Sequence, residues 1–160
     1  MGQDGGGIGS ILKDLGNSLA GLFGAGAPSP ERQATLEVLF GLLGYLAKLD
    51  SLITSHEADV INGLMDELAL NMKERELAAA AVDRGRSRAL DLAQCYATFR
   101  SLHPPGGEEC ARLLDALVRL AAADERLRPK ERSFLEQAAV ELGFDLADLE
   151  RRLAVAAPQR

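Results

Sequence analysis

An acidic motif set in helical sequence occurs twice in this chain, and that repeat restricts the fold more than any other feature. Leu39–Leu68 aligns with Leu113–Leu142, 74 positions later. Identical pairs are Leu39/Leu113, Leu43/Leu117, Leu46/Leu120, Ala47/Ala121, Asp50/Asp124, Glu57/Glu131, Glu67/Glu141 and Leu68/Leu142. Phe40/Leu114, Ile53/Leu127, Val60/Phe134 and Ile61/Leu135 are similar. Each copy reads as an apolar helix ending in Asp, a short turn with an aliphatic residue, and a second helix with Glu near its start. Any two amphipathic helices share apolar matches, so the specific part is the pair of acids at fixed spacing around the turn. The repeat predicts two helical hairpins related by an internal pseudo-two-fold axis.

The remaining sequence is also helical in period. Leu36, Leu39, Phe40, Leu43 and Leu46 fall at steps of three and four, marking a long helix from Glu31 to near Asp50. Further helices are predicted over Ser55 to about Leu70, Lys73–Val82, Ser87–Leu102, Glu108–Ala123, Pro129–Leu142 and Leu146–Ala156. Arg84-Gly85-Arg86 separates the third from the fourth in this reading, and His103-Pro104-Pro105-Gly106-Gly107 must be a loop. No alternating β-branched run is present. The fold class is all-α, a single bundle of about seven helices over residues 31–160. With 4% aromatics and no Trp, its core is built from Leu, Ala, Val and Ile.

Residues 1–30 form a distinct Gly-rich segment closing with Pro28 and Pro30. Ile8, Ile11, Leu12, Leu15, Leu19, Leu22 and Phe23 line one face of a helix there. Lys13, Asp14 and Asn17 interrupt the stripe, which is shorter than the roughly 20 apolar residues a bilayer span needs. It also lacks the continuous apolar run of a signal peptide. Three uses stay open: a helix docked on the domain, peripheral contact of residues 8–23 with a membrane or partner, and a flexible tail.

A net charge of −6 argues against nucleic acid as a partner, because phosphate binding needs clustered Lys and Arg. Cys95 and Cys110 lie in apolar helical stretches without a C-x-x-C, so buried free thiols in a reducing cytoplasm are expected. Catalysis would need a nucleophile with a base, or paired carboxylates in a cleft. His56 and His103 have no companions in sequence and read as surface residues, and no phosphate-binding Gly loop is present. No enzyme activity is expected. Arg84-Gly85-Arg86-Ser87-Arg88 reads as a solvated junction or a small anion contact.

Two readings of the acidic motif stand side by side. In the first, the acids cap helices. Thr54 with Glu57 has capping-box spacing, and Pro129 at the first helical position puts Glu131 near the third. Asp50 and Asp124 lie at helix C-termini, where the macrodipole disfavours an anion, unless they cap their own turns. In the second reading they bind metal. Asp-x-x-(Ile/Leu)-x-x-x-Glu has the spacing of the second half of an EF-hand loop, but Leu46, Lys48, Leu120 and Ala122 fill the earlier ligand positions. Neither loop holds a cation alone. If the repeats pack about a two-fold axis, Asp50, Glu57, Asp124 and Glu131 converge on one oxygen-only site suited to Ca²⁺, Mg²⁺ or Mn²⁺.

Leu42-Leu43-Gly44-Tyr45-Leu46-Ala47-Lys48-Leu49-Asp50, followed by Ile53 and Glu57, resembles the first half of the TerB-like family. Leu117-Val118-Arg119-Leu120-Ala121-Ala122-Ala123-Asp124, followed by Leu127, Pro129 and Glu131, resembles the second. That family includes the tellurite-resistance protein TerB and the N-terminal domain of the membrane-anchored co-chaperone DjlA. The resemblance implies an all-helical, non-catalytic domain with a metal site at residues matching Asp50, Glu57, Asp124 and Glu131. It also implies association with tellurite and stress responses, a protein partner, and a cytoplasmic place near the inner face of the membrane. Delivery to a chaperone needs a J-domain with His-Pro-Asp, for which His103-Pro104-Pro105 is the sole candidate. No J-domain is expected within these residues.

Overall fold

The computed structural model describes residues 8–23, 29–49, 57–87, 89–122 and 127–156. Among them are eight helices and no strand: α1 (Ile8–Phe23), α2 (Pro30–Leu49), α3 (Glu57–Glu67), α4 (Met72–Arg86), α5 (Leu92–Leu102), α6 (Glu108–Ala121), α7 (Pro129–Glu141) and α8 (Leu146–Ala156). The all-α bundle read from the sequence is the observed fold.

The central element is α2, whose middle is buried almost all round, from Leu36 to Ala47. It packs most closely on α4, and it also touches α5, α6 and α7. The α2–α4 crossing is a backbone-to-backbone contact. A Cβ on Gly85 would collide with the Gly41 carbonyl oxygen and come within 2.7 Å of the Tyr45 nitrogen, and one on Gly44 would collide with the Val82 carbonyl oxygen. This corrects the reading of Arg84-Gly85-Arg86 as a break between helices. Gly85 is a buried residue inside α4, which runs on to Arg86.

Caps explain the other shifted boundaries. The Asn71 side chain accepts from Glu74 N–H (2.8 Å) while Glu74 Oε1 accepts from Asn71 N–H (3.1 Å), so a reciprocal capping box starts α4 at Met72. Asp91 accepts from Gln94 N–H (3.2 Å) and starts α5 at Leu92, five residues later than the apolar pattern suggests.

Both α3 and α7 end in the same motif. Leu70 N–H bonds Met65 carbonyl and Ala69 N–H bonds Asp66 carbonyl; Phe144 N–H bonds Ala139 carbonyl and Gly143 N–H bonds Val140 carbonyl. These are Schellman ends, with a left-handed residue just past each helix. Ala69 has φ 55° and Gly143 has φ 96°. The two positions are 74 residues apart, so the repeat reaches into the helix ends. Its paired apolar positions are also alike: Leu39/Leu113, Phe40/Leu114, Leu46/Leu120, Val60/Phe134 and Ile61/Leu135 are all buried. Their packing partners differ, since α6 packs on α7 while α3 makes its main contact with α1.

Of the three uses open to residues 8–23, the structure shows the docked one. α1 packs against α3 and α6, and Leu15 and Leu19, each 0% exposed, join the common core. Burying each leucine contributes about 1.5–3 kcal/mol. Against this, the helix glycines 16 and 21 cost about 1 kcal/mol each relative to Ala. Gly16 has a packing reason, because a Cβ there would lie 2.5 Å from Glu67 Cβ. No helix among the described residues is long and apolar enough to cross a membrane.

Candidate functional site

Of Asp50, Glu57, Asp124 and Glu131, only Glu131 has a described side chain. Asp50 and Asp124 lie outside the described residues, as does the Thr54 cap, and Glu57 opens α3 with its side chain outside them too. Glu131 is the third residue of α7, after Pro129 at the first position. It is 0% exposed, and its Oε1 accepts from the Arg128 N–H at 2.8 Å. A helix start supplies unpaired N–H groups and the positive end of the dipole, which is why a carboxylate is tolerated at this depth. The capping reading is therefore realised at Glu131.

The ends of the helices that carry the motif meet across the repeat. Tyr45, near the end of α2, stacks on Phe134 in α7 with ring centroids 5.6 Å apart and planes at 16°. Around this stack lies a groove of about 370 Å³ lined by Tyr45, Leu49, Leu92, Pro129, Lys130, Ser133, Phe134 and Gln137. Leu49 is the residue before Asp50, and Pro129 and Lys130 directly precede Glu131. The Asp-bearing end of the first copy thus abuts the Glu-bearing helix of the second. Among the described residues no three His, Cys, Asp or Glu side chains gather as a metal cluster.

Sequence reasoning passed over a buried, ion-paired acid. Glu74 is 8% exposed, and its Oε2 accepts from Arg32 Nε at 2.6 Å while Oε1 accepts from Arg32 Nη2 at 3.3 Å. The Arg32 hydrogen bond holds its carboxyl below the ordinary 4.5, against the opposing effect of burial. The pair ties the start of α2 to the start of α4. The signal was present as Asn71-x-x-Glu74, a capping-box spacing.

His103 corrects another expectation. It is half-buried, not a free surface residue: its ring lies 4.6 Å from Phe99 and its Nε2 lies 3.1 Å from Thr35 Oγ1. Burial pushes its pKa down. Cys95 and Cys110 are buried free thiols, as expected. Burial pushes the Cys95 thiol up to about 11 and raises that of Cys110 as well, so neither is a reactive thiolate. Lys48, Asp83, Arg84, Arg86 and Ser87 surround an open basic pocket of about 450 Å³ at the C-terminal ends of α2 and α4. Cations there complement both helix dipoles.

Residues 30–154, from the start of α2 to near the end of α8, match the family described as Tellurite resistance protein TerB. The chain belongs to the TerB family. Its TerB domain is similar to co-chaperone proteins DjlA of several bacteria. Identity is 29% over 143 residues with that of Vibrio vulnificus (strain YJ016), covering 89% of this chain and 50% of the relative. It is 30% over 135 residues with that of Vibrio cholerae, covering 84% and 48%. With Photobacterium profundum it is 30% over 128 residues, covering 79% and 46%. The chain thus spans about half the length of the curated relatives it matches. No solved structure matches the chain significantly.

Proposed function

We propose that this TerB domain is a non-catalytic binding module whose paired acidic motif takes up a hard divalent cation, Ca²⁺, Mg²⁺ or Mn²⁺. Asp50, Glu57, Asp124 and Glu131 would hold the ion through oxygens alone. The observation that carries this reading is the burial of Glu131: a carboxylate at 0% exposure sits where the end of α2 abuts the start of α7. A carboxylate held at that meeting point of the two copies of the motif is an oxygen ligand placed where a shared hard cation would sit. A cation at the motif also answers the placement of Asp50 and Asp124 after helices whose C-terminal dipoles repel them. The ion would fix one helical hairpin against the other, shaping the surface that a protein partner meets. The names of the relatives and of the family support a place for the module in stress response, including tellurite resistance, and in contact with another protein. The two buried free thiols support a cytoplasmic location.

Calorimetric titration of Ca²⁺, Mg²⁺ and Mn²⁺ tests the proposal. The intact protein is expected to bind one of them and to melt higher in its presence. At about a hundred times the dissociation constant the gain is about 2.7 kcal/mol. The Asp50→Ala/Asp124→Ala protein is expected to lose both effects. No heat and no melting shift in the intact protein would sink the reading.

A second reading rests on the bond from Arg128 N–H to Glu131 Oε1. In it the carboxylates only cap helices, and the domain is a protein-interaction or membrane-peripheral module. It is the outcome left standing if no ion binds. With Leu15 and Leu19 inside the core, the intact chain is expected to stay at the bottom of a vesicle flotation gradient; co-flotation would restore residues 8–23 as a membrane contact.

A further inference from the structure

The basic pocket of about 450 Å³ opens where α2 and α4 end, and its cations stand on a chain with a net charge of −6. The α2–α4 crossing puts them there. Gly44, one turn before Lys48, meets the main chain of Val82, while Gly85, between Arg84 and Arg86, meets that of Gly41 and Tyr45. The two helix ends are thus held side by side by main-chain contact that exists before any ligand arrives.

The helix ends do not use up these cations. Ser87 N–H donates to the carbonyls of Asp83 and Gly85, and Ala89 N–H donates to that of Arg84 at 3.0 Å. Main chain therefore closes the last turn of α4. Elsewhere Arg75, Arg100, Arg112 and Arg152 lie against acids. Among the described residues, neither the Lys48 ammonium nor the Arg84 guanidinium has an ion-pair or hydrogen-bond partner. Both side chains are exposed at the pocket. Ser87 Oγ donates to the Arg84 carbonyl at 3.3 Å, a long bond that it can exchange for an incoming oxygen.

Lys48, Arg84 and Arg86, offset by Asp83 and by about half a negative charge from each helix end, leave the pocket positive by about one unit. Such a field holds one compact anion, whereas an extended polyanion would meet the acidic remainder of the chain. A phosphate group offers paired oxygens to the guanidinium fork and further acceptors to the ammonium and the hydroxyl. The volume falls within the roughly 300–1,000 Å³ of small-molecule sites. We propose that this pocket binds the phosphate group of a small phosphomonoester through Lys48, Arg84 and Ser87, with Arg86 adding positive charge and Asp83 opposing it. The site stands apart from the cation reading, since it uses none of Asp50, Glu57, Asp124 and Glu131.

The probe is glycerol 2-phosphate, titrated into the full chain without added metal at constant ionic strength and followed by amide chemical shifts. Amides of Lys48 and of residues 84–87 are expected to move and to saturate. Lys48→Gln with Arg84→Gln exchanges two exposed charges, and is expected to keep its circular dichroism and to bind about tenfold or more weaker. Asp83→Asn is expected to bind about threefold or more tighter, because it removes the opposing charge. Inorganic phosphate is expected to bind no tighter than the ester. Shifts that never saturate, or that persist unchanged in the double variant, overturn the proposal, as does weaker binding by Asp83→Asn. Tighter binding of inorganic phosphate overturns the small-molecule source. Flotation of the chain with phosphatidylglycerol vesicles, lost in the double variant, would overturn it in favour of a bilayer surface.

Discussion

Two helix crossings in this molecule rely on glycine, and they differ in what lies opposite the missing side chain. At α2–α4, Gly44 and Gly85 bring main chain against main chain, and the Arg32–Glu74 ion pair locks the far end of the same crossing. At α1–α3, a single Gly16 faces the Glu67 side chain, with one bond from Arg112 to a backbone carbonyl. Glu67 Cβ is carried by its own main chain, so neither obstacle can rotate away, and the crossings differ in how many contacts tie them. The first is held by close main-chain approach and an ion pair, the second by one close approach and one hydrogen bond.

Gly85→Ala should break the rigid crossing outright. Overpacking ordinarily costs about 1–3 kcal/mol, and here the obstacle is backbone, so the upper end or beyond is expected in chemical denaturation. Glu74→Gln should cost less, about 2 kcal/mol, by removing the negative charge that accepts two hydrogen bonds from Arg32. That variant also sharpens the comparison through pH. Because Glu74 titrates below its ordinary 4.5 in the fold, the stability it adds is complete above that pH and is lost as pH falls through the folded value. Thermal melts on the acid side of 4.5 should show that loss in the natural protein and a smaller one in Glu74→Gln. An unchanged acid profile would mean the ion pair adds nothing.

Gly16→Ala should cost about 1 kcal/mol, because the gain in helix propensity offsets part of the contact with Glu67. Its signature is local: hydrogen exchange should quicken in α1 while α2 and α4 keep their protection. Quickening across the whole chain would erase the distinction between the two crossings. The smallest effect has the opposite sign. Ala69 occupies the left-handed position after α3 that Gly143 fills after α7, so Ala69→Gly should stabilise by about 0.5–1 kcal/mol, seen as a higher melting temperature. A lower one would mean that Ala69 is held there by contacts beyond its backbone angle.

Much of this was legible in one dimension. The apolar period gave the helices, the 74-residue repeat paired buried positions across the halves, and the acidic motif pointed to the family. Pro129 and Glu131 were correctly read as the start of a helix. The errors share one cause. Gly85 read as a break because glycine lowers helix propensity, yet it is helical because α2 presses against it. His103 read as a surface residue because it has no companion in sequence, yet its ring packs on Phe99 and its Nε2 reaches Thr35.

The sequence by itself determined where most helices form, which faces are apolar, and that the acidic motif occurs twice, since these depend on residues within a few turns of one another. Only the tertiary structure decided that Glu74 is an ion-paired buried acid, that Glu131 lies fully inside, and that α1 packs against α3 and α6. Each of these depends on what a distant segment places opposite a residue, and the free energy of burial is a property of that pair of surfaces, not of either stretch of chain alone.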